Sequence, residues 1–158
     1  MKKAKLEFVE NGESATLYSI CFDGNELSEF GRFIERFKDN ASLQRDFYNI
    51  VRAVQLILSG GALERRFRPE GKQSDGVCAL PRDSGKLRLY CLRMSDQVLV
   101  VGNGGLKNVR RYEDSEELTG YVIDLQKFDA IIKEAKRKGL ITYEKMGLEE
   151  LTNKEFEL

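Results

Sequence analysis

Histidine and tryptophan are missing from all 158 residues. Without an imidazole there is no Ser-His-Asp or Cys-His nucleophile system and no histidine-containing zinc site. Any acid–base work falls to Lys, Arg, Tyr, Cys or carboxylates. Net charge is missing too, since 26 Lys and Arg stand against 26 Asp and Glu. Cysteine is scarce. Cys21, Cys78 and Cys91 are odd in number and show no CxxC spacing. That pattern reads as reduced, mostly buried thiols in a cytoplasmic protein, with no metal site. As nucleophiles, Cys78 and Cys91 lack a base. Two prolines and fourteen glycines exclude collagen-like or linker-like character. No apolar run approaches the ~18 residues of a membrane span. The start, Met1-Lys2-Lys3-Ala4-Lys5-Leu6-Glu7, is charged and has no apolar signal core. The reading is a protein with no membrane partner.

What is present suits one domain. Apolar residues make up 41% of the chain and charged residues 33%, enough for a core under a wet surface. The zero net charge hides an uneven distribution. Residues 1–59 hold eight Lys/Arg and nine Asp/Glu, residues 60–111 eleven and five, and residues 112–158 seven and twelve. A basic middle beside an acidic end points to a polyanion-facing surface.

Alternation predicts strands at 4–9 and 15–23 around an Asn11-Gly12-Glu13 turn. Leu27, Phe30, Ile34 and Phe37 recur at helical spacing after Ser28. A second helix runs from Ser42 to Leu58 on the stripe Phe47, Ile50, Val51, Val54 and Leu58, and stops at Gly60-Gly61. The two form a helical hairpin. Three further β segments, 77–80, 86–93 and 97–102, read as an antiparallel meander ending in a Gly102-Asn103-Gly104-Gly105 turn. A last helix spans Ser115–Lys138 on Leu118, Tyr121, Leu125, Phe128, Ile131 and Ile132, with Gly139 as its cap. Residues 140–146 suggest a final strand before an acidic tail.

The segment 86–93 is the most informative for function. One face carries Leu87, Leu89 and Cys91, which belong in a core. The other carries Lys86, Arg88 and Tyr90, either a solvated rim or a face that holds phosphates. Arg65, Arg66, Arg68 and Lys72 precede the meander, and Lys107, Arg110 and Arg111 follow it. Converged, they form a basic surface for RNA or DNA backbone. The glycine-rich turn fits neither GxGxxG nor a P-loop. The carboxylates of 113–117 suit a helix N-terminus.

Val77–Leu80, Gly85–Tyr90, Val98–Gly102 and Leu106-Lys107, set after a helical hairpin and a basic loop, resemble the RelE/ParE toxin superfamily, in its HigB-like, phage-derived branch. The resemblance covers roughly residues 15–112. It implies an α+β fold, with an N-terminal helical hairpin packed on a twisted antiparallel β-sheet. Residues 1–112 are then the RelE-like toxin domain. Residues 113–158 are a C-terminal extension, an acidic helix and possible strand packed on that domain. There the extension either masks the basic sheet or enlarges the core. The resemblance also implies a type II toxin of a toxin–antitoxin system, a ribosome-dependent mRNA endoribonuclease that uses no cofactor. Its partners are mRNA on the ribosome and a cognate antitoxin, of helix-turn-helix type. Arg88, Lys107 and Tyr112 are the implied catalytic residues. Arg65, Arg66, Arg68, Lys72, Lys86, Arg110 and Arg111 are the implied nucleic-acid contacts. The alternatives are a non-catalytic binding module for nucleic acid or protein on the same scaffold, and a ParE-like topoisomerase-binding toxin.

Overall fold

The computed structural model describes residues 2–70, 75–83, 85–141, 148–152 and 154–158. Strands β1 (Lys3–Asn11) and β2 (Thr16–Phe22) form an antiparallel hairpin with a bulge between Phe8 and Glu10. The turn lies where the sequence places it, closed by Gly12 N donating to Ala15 O at 2.8 Å. Helix α1 (Glu29–Phe37) starts at Ser28, whose Oγ accepts from Gly31 N at 3.1 Å. That pairs one of the otherwise orphaned first-turn donors. Glu29 opens the helix and Arg36 closes it, in line with the helix dipole. Helix α2 (Gln44–Gly60) follows, and the Phe33 and Phe47 rings stack at 6.1 Å between the two helices.

Strands β3 (Arg68–Pro69), β4 (Val77–Leu80), β5 (Leu87–Ser95) and β6 (Val98–Leu106) come next. Helix α3 (Glu116–Arg137) is capped by Ser115, which accepts from Leu118 N at 3.2 Å. It stops at Gly139, whose φ of +72° is the left-handed value that ends helices. A short strand β7 (Glu155–Glu157) ends the chain.

The architecture is α+β: an open seven-stranded sheet in the order β3-β4-β5-β6-β2-β1-β7, with three α-helices. The sheet is mixed, which corrects the antiparallel expectation. β2 and β6 pair in parallel, from Thr16↔Val98 to Ser19↔Val101. A pair of helices and three strands intervene between them, and that long excursion lets the chain re-enter the sheet in the same direction. The acidic tail is β7, which pairs with the start of β1. The suggested strand at 140–146 falls mostly outside the described residues, as does Lys72.

Side-chain alternation divides the interior into two cores. Leu17, Leu87, Leu89, Cys91, Leu99 and Val101 meet Phe33, Phe37, Ile50, Val54 and Ile57 of α1 and α2. Tyr18, Ile20, Tyr90, Leu92, Val98 and Val100 meet Leu118, Val122, Leu125, Phe128 and Ile132 of α3. Helix α3, in the acidic last third, thus supplies core residues to this side of the sheet. The Lys86/Arg88/Tyr90 face of β5 is not an open platform, because Arg88 is 5% and Tyr90 0% exposed.

The glycine-rich segment is also reassigned. Gly102 to Gly105 lie inside β6, with Gly104 opposite Leu89 and Gly105 opposite Arg88. A Cβ on Gly104 would stand 1.9 Å from the Arg88 carbonyl oxygen. The glycine is there so that two strands can touch, not to make a turn.

Candidate functional site

Four of the expected residues come together at one end of the sheet. The register sets Arg68 on β3 beside Ala79, and Ala79 beside Tyr90 on β5, so Arg68 and Tyr90 share the α3 side. Arg88 is two residues from Tyr90 and on the same side. Tyr112, in a short 3-10 turn before α3, packs its ring 6.3 Å from that of Tyr90. Lys107 leaves β6 beside β5, its N–H donating to Lys86 O at 2.6 Å.

Glu70, half-buried just after β3, sits among these groups. Burial pushes its carboxyl above the usual range. Lys107, Arg68 and Arg88 pull it back, and Glu113 pushes it further up. Glu70 was not among the residues the sequence pointed to, its only signal being an acid between Arg68 and Lys72 in a basic loop. Tyr90 was placed with Lys86 and Arg88 on a face that could hold phosphates, but not among the named site residues.

The polar bonding of this cluster is incomplete. Arg88 Nη1 donates to Gly85 O at 2.5 Å and to Leu87 O at 3.2 Å, and Arg68 Nη2 to Asp83 O at 3.2 Å. Arg68 Nε, Arg88 Nε and the Tyr90 hydroxyl are buried and have no hydrogen-bond partner among the described residues. Native interiors leave few such groups, each costing about 1–3 kcal/mol, so three together call for an explanation. An oxyanion is the complement they lack. Burial, and then the Arg68 charge, lower the Arg88 pKa. Burial raises that of the Tyr90 phenol, which stays a proton donor.

No protein-family model, curated protein or solved structure matches the chain. The site therefore stands on its own geometry.

The other expected contacts lie elsewhere. Arg65 and Arg66 belong to a 3-10 turn after α2. Arg65 is exposed with its carbonyl accepting from Arg82 Nη1 at 3.1 Å, and Arg66 runs along Gly60. Lys86 is exposed, its N–H tied to Asp46 of α2 at 3.0 Å. Arg110 and Arg111 are exposed in the link before α3. Among the described residues no group of His, Cys, Asp and Glu forms a metal site, and no helix is long and apolar enough to cross a membrane.

Proposed function

We propose that the chain is a toxin of the RelE/HigB type, a ribosome-dependent mRNA endoribonuclease. One observation carries this reading: Arg68, Arg88, Lys107 and Tyr112, from four separate stretches, meet beside Tyr90, and Arg68 Nε, Arg88 Nε and the Tyr90 hydroxyl have no partner among the described residues. The order strand, two helices, meander, with both helices over one sheet face, supports it.

In this mechanism the RNA 2′-oxygen attacks the neighbouring phosphorus, and the bond from phosphorus to the 5′-oxygen breaks. The products are a 2′,3′-cyclic phosphate and a free 5′-hydroxyl. Arg68, Arg88 and Lys107 offset the extra negative charge of the transition state. Glu70, whose carboxyl burial raises, takes the 2′-hydroxyl proton. Tyr112 stacks on a base and supplies the proton that the leaving oxygen needs. The partner is an antitoxin that covers these groups, and the place of action is the cytoplasm.

The burial of Arg88 and Tyr90 favours a second reading, a non-catalytic module that grips a phosphate through the same residues. Induction of the wild type and Lys107→Ala in cells separates the two. Growth arrest with cleaved mRNA, relieved in the variant, is expected of the ribonuclease. Normal growth and intact mRNA from soluble wild-type protein overturn it and leave the module. Arrest with DNA-damage signalling and intact mRNA identifies a ParE-like toxin instead.

A further inference from the structure

Strands β2 and β6 are neighbours and run the same way. The chain leaves β2 for α1 on one face of the sheet and leaves β6 for α3 on the other. Diverging connections from adjacent parallel strands open a crevice beyond the strand ends, which is where open α/β sheets bind ligands. A cavity of about 710 Å³ occupies this place, walled by the β2–α1 turn, α1, the start of α3 and the start of β1. A hollow of about 390 Å³ adjoins it, sharing Arg32 and Tyr121 and reaching Asn103 of β6. Sites for small molecules run from about 300 to 1,000 Å³.

Two observations define the chemistry. Glu29 lines the cavity and is only 6% exposed. Its donors, Asn103 Nδ2 and Arg32 Nη1, each stand 3.4 Å away, beyond the usual ~2.7–3.2 Å of an N–H···O bond. A carboxylate this deep has no close donor among the described residues. Burial raises its pKa, and Asp124 adds to that push. The chain also seats an ammonium of its own here. Lys2 Nζ lies 3.0 and 3.1 Å from the two Asp124 oxygens and 4.4 Å from the centre of the Phe22 ring. A carboxylate beside an aromatic face is a seat for an organic cation. The Lys2 side chain is 57% exposed, so it is displaceable.

We propose that this crevice binds a small organic polycation, a molecule of the polyamine or guanidino-amine class. One cationic end replaces Lys2 on Asp124 and Phe22, and another reaches the Glu29 carboxylate. The site is distinct from the Arg88 cluster, so its failure leaves the ribonuclease reading standing, and the reverse holds.

Isothermal titration of the full chain with agmatine and with spermidine tests it, sodium chloride of equal ionic strength being the control. Saturable one-site binding is expected. Asp124→Asn and Glu29→Gln should each weaken it about tenfold, the worth of one hydrogen bond to a charged group. Lys2→Ala should tighten it, because the internal competitor is gone. If Glu29→Gln does not fold, Asp124→Asn and the exposed Lys2→Ala carry the test. No saturable heat with wild-type protein overturns the proposal. So does binding that is the same in wild type, Asp124→Asn and Lys2→Ala, which would be diffuse attraction to an acidic surface.

Discussion

Leu89 and Tyr90 are adjacent on β5, equally buried, and point to opposite sides of the sheet. The side of Leu89, under α1 and α2, is mostly Leu, Ile, Val, Phe, Ala and Cys, and its buried Ser19 hydroxyl is fully used, donating to Val101 O at 2.6 Å and accepting from Phe30 N at 3.1 Å. The side of Tyr90, under α3, mixes apolar residues with polar groups that the fold satisfies unevenly. Tyr18 there accepts a hydrogen bond from Leu148 N at 2.7 Å, while the Tyr90 hydroxyl has no partner among the described residues. Equal burial thus conceals different purposes. One face stores stability. The other gives some up at its Arg88 end, as sites kept for a ligand do.

The largest test removes one face entirely. Deleting residues 113–158 strips α3 from the sheet and exposes Tyr18, Ile20, Leu92, Val98 and Val100. A sheet with one face bare does not stay in solution, so the expected result is insoluble protein, read by the soluble fraction after expression. A soluble, folded fragment would show that the α1–α2 face suffices alone.

A smaller change attacks the close β5–β6 contact beside Leu89 and Tyr90. Gly104→Ala drives a methyl into the Arg88 carbonyl. The backbone must shift beside the bulge near Tyr90, at a cost of about 3 kcal/mol, read by chemical denaturation. The same residue shows where sequence reading stops. Two glycines around an asparagine have the composition of a turn, and only the neighbouring strand reveals that the space is taken. The helix starts near Ser28 and Ser115 were legible because start signals are local, and both serines cap their helices. The helix stripes were legible to within one position: Phe33 and Val122, outside the expected stripes, are among the most buried residues of α1 and α3. Strand order was not legible, since the parallel β2–β6 pair joins residues about eighty positions apart in the chain. The candidate site was half legible. Its cations could be named, but their burial, and Glu70 among them, depend on α3 packing against β5 and on β3 pairing with β4.

Single substitutions on the two faces sharpen the contrast. Leu89→Ala should cost about 2–5 kcal/mol, the usual price of a cavity in an apolar core. Tyr18→Phe leaves the buried Leu148 N–H unpaired and should cost about 1–3 kcal/mol. Tyr90→Phe deletes a hydroxyl that has no partner among the described residues and should be neutral or stabilising by about 1 kcal/mol. Loss of function in Tyr90→Phe without loss of stability would mark the hydroxyl as reserved for a ligand. A stability loss equal to that of Tyr18→Phe would mean that it is satisfied after all, and that the two faces differ less than their bonding implies.

The smallest effect concerns Glu70. Burial holds its carboxyl above the ordinary range in the fold, against the three cations around it. Between the ordinary value and the raised one, the folded state binds more protons than the unfolded chain. Stability therefore falls as pH rises through that window and levels off above it. Glu29 and Asp129, also raised by burial, give the wild type the same trend. The difference between wild type and Glu70→Gln isolates the contribution of Glu70. Thermal melts from weakly acidic pH to neutrality should show the variant losing less stability over that range. A variant that loses more would mean that Arg68, Arg88 and Lys107 outweigh burial and hold Glu70 as a plain ion-pair partner. Glu70 would then be unfit to take a proton from a substrate hydroxyl, and the polar face would differ from the apolar one only in its charges.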